Sequence, residues 1–381
     1  MAKSARIPIT NIYMGGDYTG QILVGPNKQP MNVILDTGSS ALAIDGSKYK
    51  PTFIGGEKST NLAQTDSYGD GSSWTGAVLN TPVTIGEGDS EVVLPDANVA
   101  VAYQASDDMF GQDTDGILGL AYAPLDDAFT MPDDTWKHQY TSNEVRTGQS
   151  GVIKPYLTQL ADESVVSDKI SFITHRSFVH AGSNPATDPL NNGWMIVGGG
   201  EENTDLYTGT FQTVKVLSDD WYSTNLKSII VGKTSPIAAR LHGPQGMPSN
   251  SIIDSGTNSL NVSPQTLKAM LSKFPTAQRT LLTDSVMHGK LVDTTALNLA
   301  EWPTITFILQ GETDDVRLEV LPSDYWQVNT DHVGAAAAAI TPGEAGLVIL
   351  GLPIMNGYFT IFDGEADGGK GAIKFATKKS L

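Results

Sequence analysis

The 381-residue chain contains no cysteine. Disulfide staples, thiolate metal sites and a cysteine nucleophile are all excluded at once, and such a composition is compatible with a reducing compartment. Basic residues are scarce: 24 lysines and arginines stand against 42 aspartates and glutamates, a formal net charge of -18. That balance argues against nucleic acid and against anionic membranes as partners. No apolar run of about 20 residues occurs, so nothing reads as a membrane-spanning helix. The six histidines (His138, His175, His180, His242, His288 and His332) show no metal-ligand spacing. Long helical patterns are also few. With 39 glycines and 20 prolines, the chain reads as β-rich with many turns, and its length accommodates two domains.

Two short runs stand out. Asp36-Thr37-Gly38-Ser39-Ser40 closes the apolar Val33-Ile34-Leu35, and Asp254-Ser255-Gly256-Thr257-Asn258 closes Ile252-Ile253. Each aspartate sits where an apolar strand turns sharply through a glycine. A carboxylate in such a place must be hydrogen-bonded, paired or protonated, and the hydroxyls of Thr37, Ser39, Ser255 and Thr257 are the nearest donors in sequence. The surroundings repeat as well. Ile22-Leu23-Val24-Gly25 precedes the first run and Ile229-Ile230-Val231-Gly232 the second; Asp115-Gly116-Ile117-Leu118-Gly119-Leu120 follows the first and Val348-Ile349-Leu350-Gly351-Leu352 the second. The pattern reads as a long internal duplication in which each half brings one carboxylate to a shared site.

Elsewhere the chain punctuates itself with glycine. Residues 7 to 125 read as short strands separated by turns such as Gly15-Gly16-Asp17, Gly55-Gly56 and Gly69-Asp70-Gly71. Residues 126 to 150 are polar and irregular, and Ile153, Leu157 and Leu160 suggest a helix over 151 to 160. Pro185, Pro189 and Asn191-Asn192 mark 176 to 193 as the linker, giving an amino-terminal lobe over 1–187 and a carboxy-terminal lobe over 188–381. The clearest helix follows the second run: Ser263 caps it, Pro264 suits its first turn, Leu267, Met270, Leu271 and Phe274 form one face, and Pro275 stops it. The Ala335 to Ala339 tract reads as a loop or a small-residue packing strip.

Two carboxylates about 3 Å apart cannot both ionise cheaply and share one proton, as aspartic proteases, the standing example of the effect, illustrate. The ionised member can take a proton from water while the neutral one donates to a carbonyl oxygen, which suits direct hydrolysis of an amide. The order of motifs resembles the pepsin family of aspartic endopeptidases along nearly the whole chain, from about Tyr18 to Phe375. Within it, the cysteine-free composition and the bare start Met1-Ala2-Lys3-Ser4-Ala5-Arg6 are most similar to the bacterial, shewasin-type homologues. The resemblance implies an all-β, bilobal fold with a cleft between the lobes, and Asp36 and Asp254 as the catalytic dyad. It implies that Thr37 and Ser255 lock the two loops together beneath the dyad, with Gly38 and Gly256 at the turns. Ser39 and Thr257 would bond the outer carboxylate oxygens, which lowers a pKa and gives an acidic optimum.

By the same resemblance, Ser67-Tyr68-Gly69-Asp70-Gly71-Ser72-Ser73 is a hairpin flap, with Tyr68, Gly69 and Asp70 over the substrate, and Ile34, Phe110 and Ile117 line the cleft. The implied partners are polypeptide substrates, cleaved between apolar residues, and pepstatin-like inhibitors; no cofactor and no metal are implied, and the expected state is a cytoplasmic monomer. One position departs from the family. A tryptophan usually follows the first motif and supports the flap tyrosine; here Ala43 stands there, and Trp74, just after the flap tip, is the candidate replacement.

Competing readings are weaker. Gly364-Glu365-Ala366-Asp367-Gly368-Gly369-Lys370 has phosphate-loop spacing, but Gly371 replaces the magnesium-binding hydroxyl residue and the flanks read as strands, so a β-turn is expected. Asp113 and Asp115 suggest a calcium loop, but Ile117 occupies a ligand position. The Asn261-Val262-Ser263 sequon is followed by proline. The alternative to a peptidase is a binding protein that keeps the pepsin fold without its reaction.

Overall fold

A computed structural model describes residues 3–14, 16–107, 109–110, 114–239, 243, 249–343 and 346–379. Met1, Ala2, Gly15, Asp113 and His242, named above, lie outside them. The chain is mostly strand and forms two β-lobes that repeat one local design. In the first, strand Gln29–Asp36 runs antiparallel to Asp17–Val24 and parallel to Gly116–Gly119, which in turn pairs antiparallel with Leu42–Asp45. In the second, Ser251–Ile253 runs parallel to Val348–Leu350, which pairs antiparallel with Leu260–Val262. Each aspartate thus leaves a strand wedged against an apolar-glycine strand from the far end of its half. Val33, Leu35, Leu118, Ile253 and Leu350 are fully buried there, so both carboxylates rest on apolar floors.

The halves are joined by strands, not only by a linker. Ala5–Met14 pairs with Asn192–Val197, and Lys169–Ile173 lies between Asn192–Val197 and Tyr358–Asp363. Ala372–Lys378 and Tyr207–Lys215 extend the same sheet, so that 15 strands form one hydrogen-bonded series. Residues 185–191 contribute two short 3-10 turns before Asn192–Val197 begins.

The helix after the second motif spans Pro264–Lys273, with Ser263 Oγ accepting the Thr266 N–H at 3.1 Å and Leu267 and Met270 buried. Pro275 does stop it, yet a second helix, Thr276–His288, starts at once. Residues 126 to 150 are more ordered than their polarity suggests: Asp127–Thr130 pairs with Gln149–Val152, and Thr141 and Glu144 form a capping box on a single helical turn. The helix expected over 151 to 160 begins only at Tyr156, after Pro155, and ends at Asp162. The alanine tract is neither loop nor mere packing strip but a strand, Ala335–Ala338, between Trp326–Val328 and Val292–Asp293. The glycine-rich run at 364 to 370 connects the antiparallel strands Tyr358–Asp363 and Ala372–Lys378. Asp115 is a structural pin: its carboxylate accepts the Asn32 N–H at 2.7 Å and meets Lys48 Nζ at 3.1 Å. Among the described residues, no cluster of acidic or histidine side chains could hold a metal ion.

Candidate active site

Strand and turn together fix each carboxylate. In the first loop the Gly38 N–H donates to Asp36 Oδ1 at 2.8 Å and Ser39 Oγ donates to Asp36 Oδ2. In the second, the Gly256 N–H donates to Asp254 Oδ1 at 2.9 Å and Thr257 Oγ to Asp254 Oδ2 at 2.6 Å. The spacing of donors at two and three residues past the aspartate is the same in both. Beneath them the loops interlock. Thr37 Oγ accepts the Ser255 N–H at 2.9 Å and donates to the Ile253 carbonyl; Ser255 Oγ accepts the Thr37 N–H at 3.0 Å and donates to the Leu35 carbonyl at 2.7 Å. Four buried hydrogen bonds between the lobes set the separation of the aspartates.

Glycine is required at both turns by close approach. A Cβ on Gly38 would lie 2.7 Å from Asp254 Oδ1, and one on Gly256 would lie 2.3 Å from Asp36 Oδ1. Each loop therefore leaves an atom-sized gap for the other loop's carboxylate. Burial together with the Asp254 charge pushes the Asp36 carboxyl well above the ordinary carboxylate range, against the Ser39 and Gly38 donors. Asp36 is 5% and Asp254 7% exposed, which leaves water access only from the cleft side.

That cleft, about 750 Å³, is lined by Ile34, Ile117, Tyr68, Gly69 and Asp70 as well as by both aspartates, Gly38, Ser39, Gly256 and Thr257. Thr37 and Ser255 lie below it. Phe110 is buried in one cluster with Ile34, Trp74 and Ile117, and its neighbour Met109 is among the residues that line the cleft.

The hairpin of Lys58–Ser67 and Ser73–Ile85 carries Tyr68 to its tip, closed by the Tyr68 N–H on the Ser72 carbonyl at 2.8 Å. Asp70 Oδ1 accepts the N–H and hydroxyl of Ser72, which shapes the turn. Trp74 Nε1 donates to Tyr68 Oη at 3.1 Å. Its ring, 2% exposed, is packed in one buried cluster with the small side chains of Ala41, Ala43, Ala100 and Ala102, so an indole arriving from the hairpin's own strand joins the cluster that also holds position 43.

Sequence reasoning missed Trp221 and Asp17. Trp221 Nε1 donates to the Gly38 carbonyl at 2.9 Å and both residues line the cleft, a contact spanning the two halves that has no local signal. Asp17 opens strand Asp17–Val24 and faces the cleft; it was legible only as part of a turn.

A sequence model described as eukaryotic aspartyl protease matches residues 17–377. Gastricsin of Cavia porcellus is 24% identical over 370 residues, covering 92% of this chain and 78% of its own. Cathepsin D of Clupea harengus is 25% identical over 372 residues, covering 93% and 80%. Major aspartyl peptidase 1 of Cryptococcus neoformans is 26% identical over 275 residues, covering 71% and 52%.

Proposed function

Because the chain belongs to the pepsin-like family of aspartyl proteases, we propose that it is an active endopeptidase in which Asp36 and Asp254 together activate a water molecule. The observation behind this reading is the contact of two buried carboxyls, one per lobe, each supplied with the same two donors from its own loop. With one proton between them, the ionised carboxylate removes a proton from water as its oxygen attacks the peptide carbonyl. The protonated carboxyl gives its proton to the carbonyl oxygen, so the tetrahedral diol forms with the pair still singly protonated. On collapse the ionised carboxylate takes one diol proton while the protonated carboxyl gives its own to the departing amine nitrogen as the C–N bond breaks, which leaves the pair singly protonated again. No covalent enzyme intermediate is needed.

Low pH favours the reaction on this reading, because the singly protonated pair is lost as pH rises. Apolar groups flanking the cut suit Ile34, Ile117, Met109 and Ile349 in the cleft wall. We further propose kinship with the bacterial, shewasin-type homologues, monomeric action and a cytoplasmic setting, all in keeping with the cysteine-free composition. The test is cleavage of an internally quenched apolar peptide from about pH 3 to about pH 8, with and without pepstatin, whose central hydroxyl would replace the attacking water. Activity confined to acid and abolished by pepstatin is expected. A folded protein that cleaves nothing at any pH is instead a binding module.

The Tyr68–Trp74 hydrogen bond supports a further expectation. Trp74→Phe keeps an aromatic ring in the cluster with the alanines but leaves Tyr68 Oη without its donor, so the flap tip closes less reproducibly. We expect kcat/KM to fall about fivefold to tenfold, the scale of one lost neutral hydrogen bond, with thermal stability changed little. An unchanged kcat/KM would remove Trp74 from the flap machinery.

A further inference from the structure

Five carboxylates line the cleft, and among the described lining residues there is no lysine, arginine or histidine to balance them. Four are committed to donors nearby in sequence: Asp36 and Asp254 to their loops, Asp66 to the Ser67 N–H at 2.7 Å, and Asp70 to Ser72. Asp17 differs. Its Oδ1 is buried and has no hydrogen-bond partner among the described residues, while the residue as a whole is half-buried and lines the cleft. Nor is the position loose. Its neighbour Tyr18 is 1% exposed, and Tyr18 Oη accepts the His175 and Arg176 N–H groups at 2.9 and 3.3 Å. Alternation along the strand sends Tyr18 into the core and Asp17 into the cleft. Met14 pairs with Asp17 across the adjoining strand and holds its backbone in register.

A buried acceptor without a donor costs free energy that an ordinary structural aspartate would recover from its own protein. Here nothing in the described protein supplies it, while the carboxyl points to where a polypeptide would lie. A metal ion does not meet that need, because among the described residues no three ligating side chains converge there. A lysine or arginine side chain does: it brings its own donors and charge, and the apolar stem suits the walls of the cleft.

On the reading of the cleft as a peptidase site, we propose that Asp17 is a specificity determinant that receives a basic side chain, lysine or arginine, of the bound polypeptide. Burial, with the nearby Asp254 and Asp70 charges, pushes the free Asp17 carboxyl up to about 8, so it is protonated in the empty cleft at acid pH. A bound cation reverses that balance. Pairing therefore expels a proton, a signature that simple apolar binding lacks.

The test uses non-cleavable peptides with a reduced scissile bond, each flanking position set in turn to lysine or to norleucine, its uncharged counterpart of similar length. Binding is measured by calorimetry near pH 5 in buffers of differing ionisation enthalpy, for the wild type and for Asp17→Asn. At one position, lysine should bind the wild type about tenfold or more tightly than norleucine and release close to one proton. In Asp17→Asn the lysine-to-norleucine ratio should approach one and the proton release should vanish. Equal binding of both series by the wild type overturns the proposal, and so does a preference retained in Asp17→Asn, which would move recognition to Asp66 or Asp70. Failure of both series to bind overturns the peptidase reading and this inference with it. Should Asp17→Asn not fold, the wild-type lysine preference and its proton release decide the question.

Discussion

Replacing Asp36 or Asp254 with asparagine lowers kcat by about ten-thousand-fold or more while the fold is retained, and the double variant is hardly worse than either single one. Asparagine keeps the shape and an oxygen for the Gly38 or Gly256 N–H, so the interlocked Thr37 and Ser255 beneath the site should be undisturbed. What disappears is the shared proton. Neither amide can remove a proton from water, and the remaining carboxyl, freed of a charged neighbour, loses the coupling that kept it in the right state. The measurement is single-turnover cleavage together with a thermal unfolding curve for each variant. Activity within tenfold of wild type in either single variant would eliminate the dyad. The same experiment separates site from scaffold: at neutral pH, Asp254→Asn should unfold at a higher temperature than wild type, because it removes the negative charge that faces the buried Asp36 carboxyl.

The second large expectation is that the whole protein is markedly more stable at about pH 5 than at about pH 8. Burial raises Asp17 to about 8, Asp126 to about 7, and Asp168 and Asp324 each to about 6, from an ordinary value of 3.8. For each, the folded state holds its proton more tightly than the unfolded chain does. Its stabilising contribution is thus complete below the unfolded value and is lost as pH rises through the folded one, which places the loss between about pH 4 and pH 8. His175 acts in the opposite sense: burial lowers it to about 4 from 6.5, so its contribution fades as pH falls through that interval. Carboxyls held low, such as Glu201 beside Lys374 and Asp188 beside His180, change only below the interval and leave the comparison unaffected. Four groups outweigh one. Allowing for relaxation and partial exposure, the difference should reach about 3 kcal/mol, at roughly 1.4 kcal/mol per unit of displacement. Self-repulsion at a formal net charge of -18 works in the same direction. Urea unfolding at the two pH values measures it; equal or greater stability at the higher pH would contradict the burial of these carboxyls.

The motif loops were legible because their chemistry is local. A carboxylate, a glycine N–H two residues on and a hydroxyl three residues on occupy one turn, so sequence alone specifies their hydrogen bonds. The capped helix Pro264–Lys273 was legible for the same reason. Helix Thr276–His288 was not, since only Leu282 and Ser285 are buried and Pro275, read as a stop, also serves as its amino-terminal cap. The alanine tract became a strand by tertiary override: alanine has little preference for extended structure, but Ala335, Ala336 and Ala338 are buried in a strand paired on both sides. Trp221 reaches Gly38 and Trp74 reaches Tyr68 through packing that no spacing rule encodes. Asp17 was hidden most deeply, because its signal is the lack of a partner, which exists only once every neighbour has been placed.

The strand register that joins the lobes also sets a timetable. Ala5 pairs with Val197 and Lys169 with Asp363, so strand Ala5–Met14 has no companion across that edge until nearly two hundred more residues have been made. At ordinary elongation rates the wait is roughly ten to forty seconds. Closing such long chain segments is slow, and the barrier that delays assembly must also be climbed in reverse before the sheet can part. A protein without a disulfide is thereby given persistence in time: its lifetime among proteases rests on how rarely that sheet opens.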